Sequence, residues 1–499
     1  MNNLIRSAFV ACAFLSLNVV AFVQNNTVTE LKNEISSLKH SSQSRFTHYE
    51  NTNALSVFPE DVSRQFICSY NDGQKLYDLI NTYNQKLNDA SDLATQTQII
   101  NELRQFEREI MEISAWDLFL AANRNINAST ANLAGVLKHD KNYVPQWGAW
   151  LHDHSNNEQL IDKTTLQLTK QAITDSKWIC EGDCLSNELD LELFSKESKI
   201  LGGGVLVDQA GNPVFYESRA NGLLYQNLQE GDQYSVPMFF PLGQCTEFID
   251  IGLQVDGVVG KKQNIDPVLT VKLAWKILTN EDDEDRYFTI SNVSVNMANK
   301  TQKVTLGMVG MHVAIKEQRQ VQWRWTTFEH IDNLYEPEQG STETPSFYNP
   351  KCADCCENML PADSTKPAQL TRIEPLQPST ISLNERVQKL LRKYDSKLQY
   401  YKLVETQYTS LVAPSITKFY LERTPDDARN AVLEPFVLPS KPSCKNMNKY
   451  IVPIHYPTTG CMGCHKYAEY KSKSGKLLNA DFTFIQPLNL TKETKNEQQ

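Results

Sequence analysis

The chain has 499 residues, 40% hydrophobic and 22% charged, enough for two or three domains with a substantial buried core. Lys and Arg number 49 against 59 Asp and Glu, a formal charge of −10, which argues against nucleic acid as a partner because phosphate binding needs a basic field. No internal stretch approaches the roughly 18 uninterrupted apolar residues of a membrane span, which excludes a polytopic membrane protein.

The opening segment, MNNLIRSAFVACAFLSLNVVAFVQ, reads as a secretory signal over 1–21. It has Arg6 in a short n-region, an apolar run from Ala8 to Val23, and a cleavage site after Val19-Val20-Ala21. An uncleaved membrane anchor is the alternative. A lipoprotein linkage through Cys12 fits poorly, because the apolar run continues beyond it. Either way the chain is expected to be periplasmic or secreted, where disulfides form and persist, with no integral span beyond this segment.

From 26 to 113 the chain is polar, with apolar residues at helical spacing in LYDLINTYNQKL and TQIINELRQFEREIMEI. At Ser114 the character changes to SAWDLFLAANRN and VPQWGAWLHDH, aromatic-rich packing segments that open an α+β core over 114–335. Its middle, Leu201 to Asp332, carries strand signals in GGGVLVDQAGNPVFYESR, IDPVLTVKLAWKIL, RYFTISNVSVNMA, KVTLGMVGMHVAI and VQWRWTTFEH. Turns are predicted at Ala210-Gly211-Asn212-Pro213 and Met297-Ala298-Asn299-Lys300, and a solvated turn at Glu281-Asp282-Asp283-Glu284-Asp285. An irregular linker rich in Pro and Cys follows over 336–379. Helix returns in SLNERVQKLLRKYDSKLQYYKLVETQY, with Val387, Leu390, Leu391 and Tyr394 on one face, and the tail after Val412 reads as irregular. The fold expected is α+β: a β-rich centre flanked by helical N-terminal and C-terminal segments, with a short haem-c attachment region inside 380–499.

The cysteines carry the chemistry. There are eleven: Cys12, Cys68, Cys180, Cys184, Cys245, Cys352, Cys355, Cys356, Cys444, Cys461 and Cys464. Cys461-Met462-Gly463-Cys464-His465 has the C-x-x-C-H spacing of covalent haem attachment. Two thiols add across the porphyrin vinyl groups, and the adjacent histidine is then held under the iron as an axial ligand. Composition alone predicts about 0.004 such motifs in a chain of this make-up, so chance explains it poorly. The competing reading is a plain C-x-x-C disulfide or half of a zinc site, with Cys352 and Cys355 as the partner pair; zinc sites rarely put a histidine directly after the second cysteine. Without Cys12 and the two motif thiols, eight cysteines remain, an even number that permits 105 pairings. Cys352-x-x-Cys355 lacks the βαβ surroundings of a thioredoxin-like redox pair. No phosphate-binding glycine loop, G-x-S-x-G elbow or H-E-x-x-H helix is present.

Taken together, SAWDLFLAANR, GNPVFYESRAN, VKLAWKIL, GMVGMHVAIK, QWRWTTFEHIDN, FYNPKCADCCEN, LNERVQKLL, YKLVETQY, GCMGCHKYA and ADFTFI resemble bacterial secreted cytochrome c family proteins with a single C-terminal C-x-x-C-H motif. The resemblance runs from about Ser114 to Phe484. It implies one covalent haem c per chain near the C-terminus, and it implies no particular reaction. The sequence departs from the family pattern at Cys356, where proline is usual. It also has additional cysteines at Cys68, Cys180, Cys184, Cys245 and Cys444, so no disulfide pattern carries over.

Only 34 residues follow His465, and they contain neither Met nor His. A distal ligand to the iron must therefore come from upstream or from another chain, or the iron is five-coordinate. The upstream candidates are His312, in an apolar strand-like run, then His330, with Glu329 and Asp332 nearby to set its tautomer, then His455 and Met447. Any one of them also reads as an ordinary core or surface residue. Trp116, Trp147, Trp150, Trp275, Trp323 and Trp325 read first as core packing, with strand alternation placing Trp323 and Trp325 on one face. Phe482 and Phe484 follow the motif closely and are haem-pocket candidates.

Two classes of function remain. One is an exported electron carrier that docks on a redox partner protein. The other is a haem enzyme or a redox or gas sensor, with an open distal site beside Glu329, His330 and Asp332. Whether the chain is an enzyme stays open at this point.

Overall fold

The computed structural model describes residues 29–36, 79, 82–83, 93–123, 125, 139, 143, 145–149, 151–152, 205–220, 268–297, 300–316, 323–352, 354–363, 365–410, 423–424, 429–436, 444, 447–451, 461, 465, 469–471 and 477–479. The signal segment over 1–21, and with it Cys12, lies outside them. So do Cys68, Trp150, Cys180, Cys184, Cys245, His455, Cys464, Phe482 and Phe484.

The described chain is α+β, built on an antiparallel sheet. Helix α1 spans Leu93–Ala122 and α2 spans Pro378–Lys393. Strands β1 (Leu151–His152), β2 (Phe215–Ala220), β3 (Val268–Ile277), β4 (Thr289–Met297), β5 (Lys300–Lys316), β6 (Arg324–His330), β8 (Tyr401–Thr409) and β9 (Arg423–Thr424) form one sheet of eight strands. Its order is β1-β2-β3-β5-β6-β8-β9, with β4 also paired to β5. Two smaller ladders join β7 (Leu360–Pro361) to β10 (Tyr450–Ile451), and β11 (Glu469–Lys471) to β12 (Leu477–Asn479).

The chain divides into two compact units. The first comprises Met1–Thr52, Tyr70–Met111 and Ser410–Glu422. Its core is a set of apolar residues at helical spacing: Leu31, Ile35, Leu79, Tyr83, Ile99, Leu103, Phe106 and Ile110. Ser410 Oγ donates to buried Glu107 Oε2 at 2.7 Å, which ties the returning segment into this unit. The second unit, Asn53–Ser69, Glu112–Thr409 and Arg423–Gln499, holds the sheet.

The unit boundary at Met111 falls inside α1. Ser114, where the character of the sequence changes, lies within the helix, which runs unbroken to Ala122. What changes there is burial: up to Met111 one face is exposed, whereas from Ser114 every residue is buried. An all-round apolar helix is what a core position requires, and its composition resembles that of a buried strand.

The strands of the centre follow from their sequences. Leu306 to Ile315 of β5 and RWTTFEH in β6 are buried without alternation because both sheet faces are covered there. On one face Trp116 and Phe119 of α1 pack on Phe328 of β6, with ring centroids 5.0 and 4.1 Å away. Asn384 of α2 locks the same layer: Oδ1 accepts from Trp116 Nε1 at 3.0 Å and from the Leu403 N–H at 3.0 Å, and Nδ2 donates to the Leu403 carbonyl at 2.8 Å. The other face is covered by segment 429–436. Asn430 Nδ2 donates to Thr327 Oγ1 and to the Phe328 carbonyl, both at 2.8 Å.

The first predicted turn forms, and strand pairing flanks the second, whose Ala298 and Asn299 lie outside the described residues. Gly211 takes φ +84°, and Asp208 exchanges hydrogen bonds with Asn212 across the bend. Met297 pairs directly with Lys300, so β4 and β5 are joined by a two-residue connection. In the acidic loop Glu281, Asp283, Glu284 and Asp285 are exposed, but Asp282 bonds buried Lys276 Nζ at 2.6 Å.

Two further expectations need correction. The segment SLNERVQKLLRKYDSKLQYYKLVETQY is not one helix. α2 ends at Lys393, Asp395 takes the left-handed φ of +52°, and YKLVETQYT forms β8 against β6. Helical spacing continues through the aromatic and β-branched residues, but strand pairing decides their state. The tail after Val412 is also less irregular than expected, since it contributes β9 to β12.

Candidate functional site

The C-x-x-C-H segment belongs to the sheet-bearing unit. Cys461 and His465 are both helical and half-buried. The His465 ring lies 4.1 Å from the Trp325 ring, centroid to centroid, at a tilt of 43°. Trp325 sits in β6, and its ring is 6.2 Å from that of Trp323. A half-buried cysteine and an imidazole packed on an aromatic wall fit part of the donor set of a covalently attached haem.

His312 lies on the sheet face that carries Trp325. In antiparallel register His312 opposes Thr327 and Ala314 opposes Trp325, and paired or alternate residues share a face. His312 is buried, and its Nε2 is 2.6 Å from Glu434 Oε1. Burial alone would raise the Glu434 carboxyl. The His312 ring, Lys272 and the Asn430 N–H outweigh it and hold the group below the usual carboxylate range. The other ring nitrogen of His312, Nδ1, is buried with no partner among the described residues.

His330 is built differently. Its ring is fully buried and stacks on Tyr287 at 4.0 Å and 9°. Nδ1 accepts the Asp332 N–H at 3.1 Å, so Nε2 is the donor to the Arg286 carbonyl at 3.0 Å. Burial, against the pull of Asp332, pushes its pKa down to about 4. Both nitrogens are thus occupied by backbone.

The residues expected beside an open site are ion-paired. Arg286 forks onto Asp332 with two bonds of 2.7 Å. Arg372 bridges Glu329 and Glu336, and Glu336 also binds Lys402. Burial works against Glu336 ionising, but Arg372 and Lys402 bring its pKa down to about 2. Strand alternation sends the neighbours Glu329 and His330 of β6 to opposite faces, so they do not line one site. Met447 is half-buried in a short 3-10 turn, Met447–Lys449.

The tryptophans within the described residues are buried as core groups, as expected: Trp116, Trp147, Trp275, Trp323 and Trp325. Cysteine pairing is partly visible, with disulfides Cys352–Cys355 and Cys356–Cys444. Sequence reasoning missed Glu434 as the partner of His312, since 122 residues separate them and no local pattern marks the pair. It placed Trp323 and Trp325 on one face without finding that His465 packs there.

No family model, no curated protein and no solved structure matches this chain. No helix among the described residues is long and apolar enough to cross a membrane.

Proposed function

We propose that this protein is an exported c-type haem protein that carries one haem on Cys461 and Cys464, with His465 as axial ligand, and transfers electrons to a redox partner protein. The observation that carries the reading is the Cys461-x-x-Cys464-His465 motif. The half-buried helical setting of Cys461 and His465, with the His465 ring packed on Trp325, supports it. When bound, the haem supplies one-electron redox chemistry at its iron. The chain holds the macrocycle through two thioether links, orients the axial imidazole, and excludes water with the apolar face around Trp325. In this reading helical segments flank the β-rich centre on both sides, a short C-terminal segment bears the haem, and the sequence over 1–21 directs export to the periplasm or beyond. Its kinship is with the bacterial secreted cytochrome c family proteins that the motifs resemble.

His312 remains the first candidate for the distal ligand because it shares the sheet face of Trp325; His330 is the second. A haem enzyme or redox or gas sensor with an exchangeable distal site is a second reading, and one observation favours it. Nε2 of His312 is engaged by Glu434 and both nitrogens of His330 by backbone, which leaves only the buried Nδ1 of His312 without a partner among the described residues.

Denaturing electrophoresis with haem staining tests the main reading. The parent should keep its haem, and Cys461→Ala with Cys464→Ala should abolish the stain. Haem that extracts from the parent into acid acetone overturns the covalent link, and a parent that holds no haem favours a disulfide or zinc C-x-x-C protein. The ferric spin state separates the two haem readings: low-spin six-coordinate iron supports transfer, and high-spin iron supports ligand binding.

A further inference from the structure

Trp323 and Trp325 are 2% and 8% exposed, and the indole Nε1 of each is buried with no acceptor among the described residues. An indole nitrogen only donates, so each leaves its desolvation unrecovered until an acceptor arrives. Buried donors of this kind are normally satisfied, and two on adjacent rings 6.2 Å apart call for a common cause. The neighbours on β8 do not satisfy them: Glu405 and Gln407 face Thr327 and Trp325 across the ladder, but neither accepts from an indole. The pair also lies beside the axial histidine of the motif, since Trp325 is the ring that His465 packs against.

We propose that the indole N–H groups of Trp323 and Trp325 form the binding site for the propionates of the haem carried by Cys461, Cys464 and His465. The inference rests on the haem reading and adds its orientation. The attached haem brings two carboxylates on one edge of the macrocycle, and a carboxylate accepts from two donors through its two oxygens. The propionate edge is then turned towards β6, and the covalently linked vinyl side towards the motif turn. Charge-assisted bonds to these donors hold the carboxylates ionised in a buried setting and fix how the ring rests on the sheet.

Ultraviolet resonance Raman spectroscopy reads hydrogen bonding at indole nitrogen. The tryptophan marker bands of the haem-loaded parent are expected to shift relative to those of the Cys461→Ala/Cys464→Ala protein. Trp323→Phe and Trp325→Phe should each remove part of that shift. The double Phe variant should also displace the propionate-bending band seen under visible excitation, while still staining for haem after denaturation. Tryptophan bands that do not move on haem loading, or a propionate band unchanged in the double variant, overturn the proposal and leave the haem reading standing. A parent that holds no haem overturns both. If the double variant does not fold, the comparison of parent with haem-free protein decides alone.

Discussion

At the scale of single residues, burial sets the chemistry. His330 is enclosed and neutral, its pKa pushed down to about 4, whereas the unfolded chain protonates at the ordinary 6.5. Between those values the unfolded state binds a proton that the folded state refuses, so stability falls as pH drops from 6.5 towards 4. The full contribution is about 3 kcal/mol for a group this buried. Glu336 extends the acid limb. Its pKa is about 2 folded against 4.5 unfolded, so its ion pairs stabilise above 4.5 and are lost as pH falls towards 2. We expect urea midpoints of the parent to decline through both windows. His330→Gln should flatten the upper one only; an unchanged slope between pH 6.5 and 4 would show that His330 is not its source.

The elements are held by a few side chains that satisfy several backbone groups at once. Asn384 joins α1, α2 and β8 through three bonds. Asn384→Ala leaves an indole N–H, a backbone N–H and a carbonyl unsatisfied in the core, for an expected loss of about 2–4 kcal/mol, read by chemical denaturation. Gly310 of β5 serves the opposite face. A Cβ there would lie 2.6 Å from Val432 Cγ2 and 3.2 Å from Asn430 Oδ1, so only glycine lets segment 429–436 lie against the strand. Gly310→Ala should cost about 1–3 kcal/mol and loosen that segment, seen as faster amide exchange at Val432 and Leu433. Exchange rates there equal to the parent's would show that the cover does not depend on this close approach.

On the scale of the whole chain, the sheet-bearing unit draws in distant segments. The Cys356–Cys444 disulfide spans 88 residues and lies close in sequence to the β7–β10 ladder that joins the same two segments. Chain entropy assigns a crosslink of that span about 4–5 kcal/mol. Cys356→Ser with Cys444→Ser should lower stability by most of that amount, while the crosslink between Cys352 and Cys355, three residues apart, contributes far less. Equal losses from removing either crosslink, compared by thermal unfolding, would rule out the entropic account. Both crosslinks also suit an oxidising compartment, in keeping with the export proposed above.

The sequence by itself determined whatever depends on near neighbours. The 3.6-residue spacing of TQIINELRQFEREIMEI marked the helix, and the β-branched and aromatic runs from Val268 to His330 marked the strands of the centre. Asp208 to Pro213 specified a turn because glycine alone takes its φ there without strain. The Cys461-x-x-Cys464-His465 motif behind the proposed haem site is likewise a local pattern, read from residues adjacent along the chain. The tertiary structure alone decided what depends on who packs against whom. YKLVETQY became a strand because β6 offered it a ladder, and SAWDLFLAA continued a helix buried against Phe328 of the sheet and Asn384 of α2. Glu434 reached His312, and Trp325 reached His465, across more than a hundred residues. Local propensity fades within a few residues, whereas burial and charge pairing act between whichever residues the fold brings together.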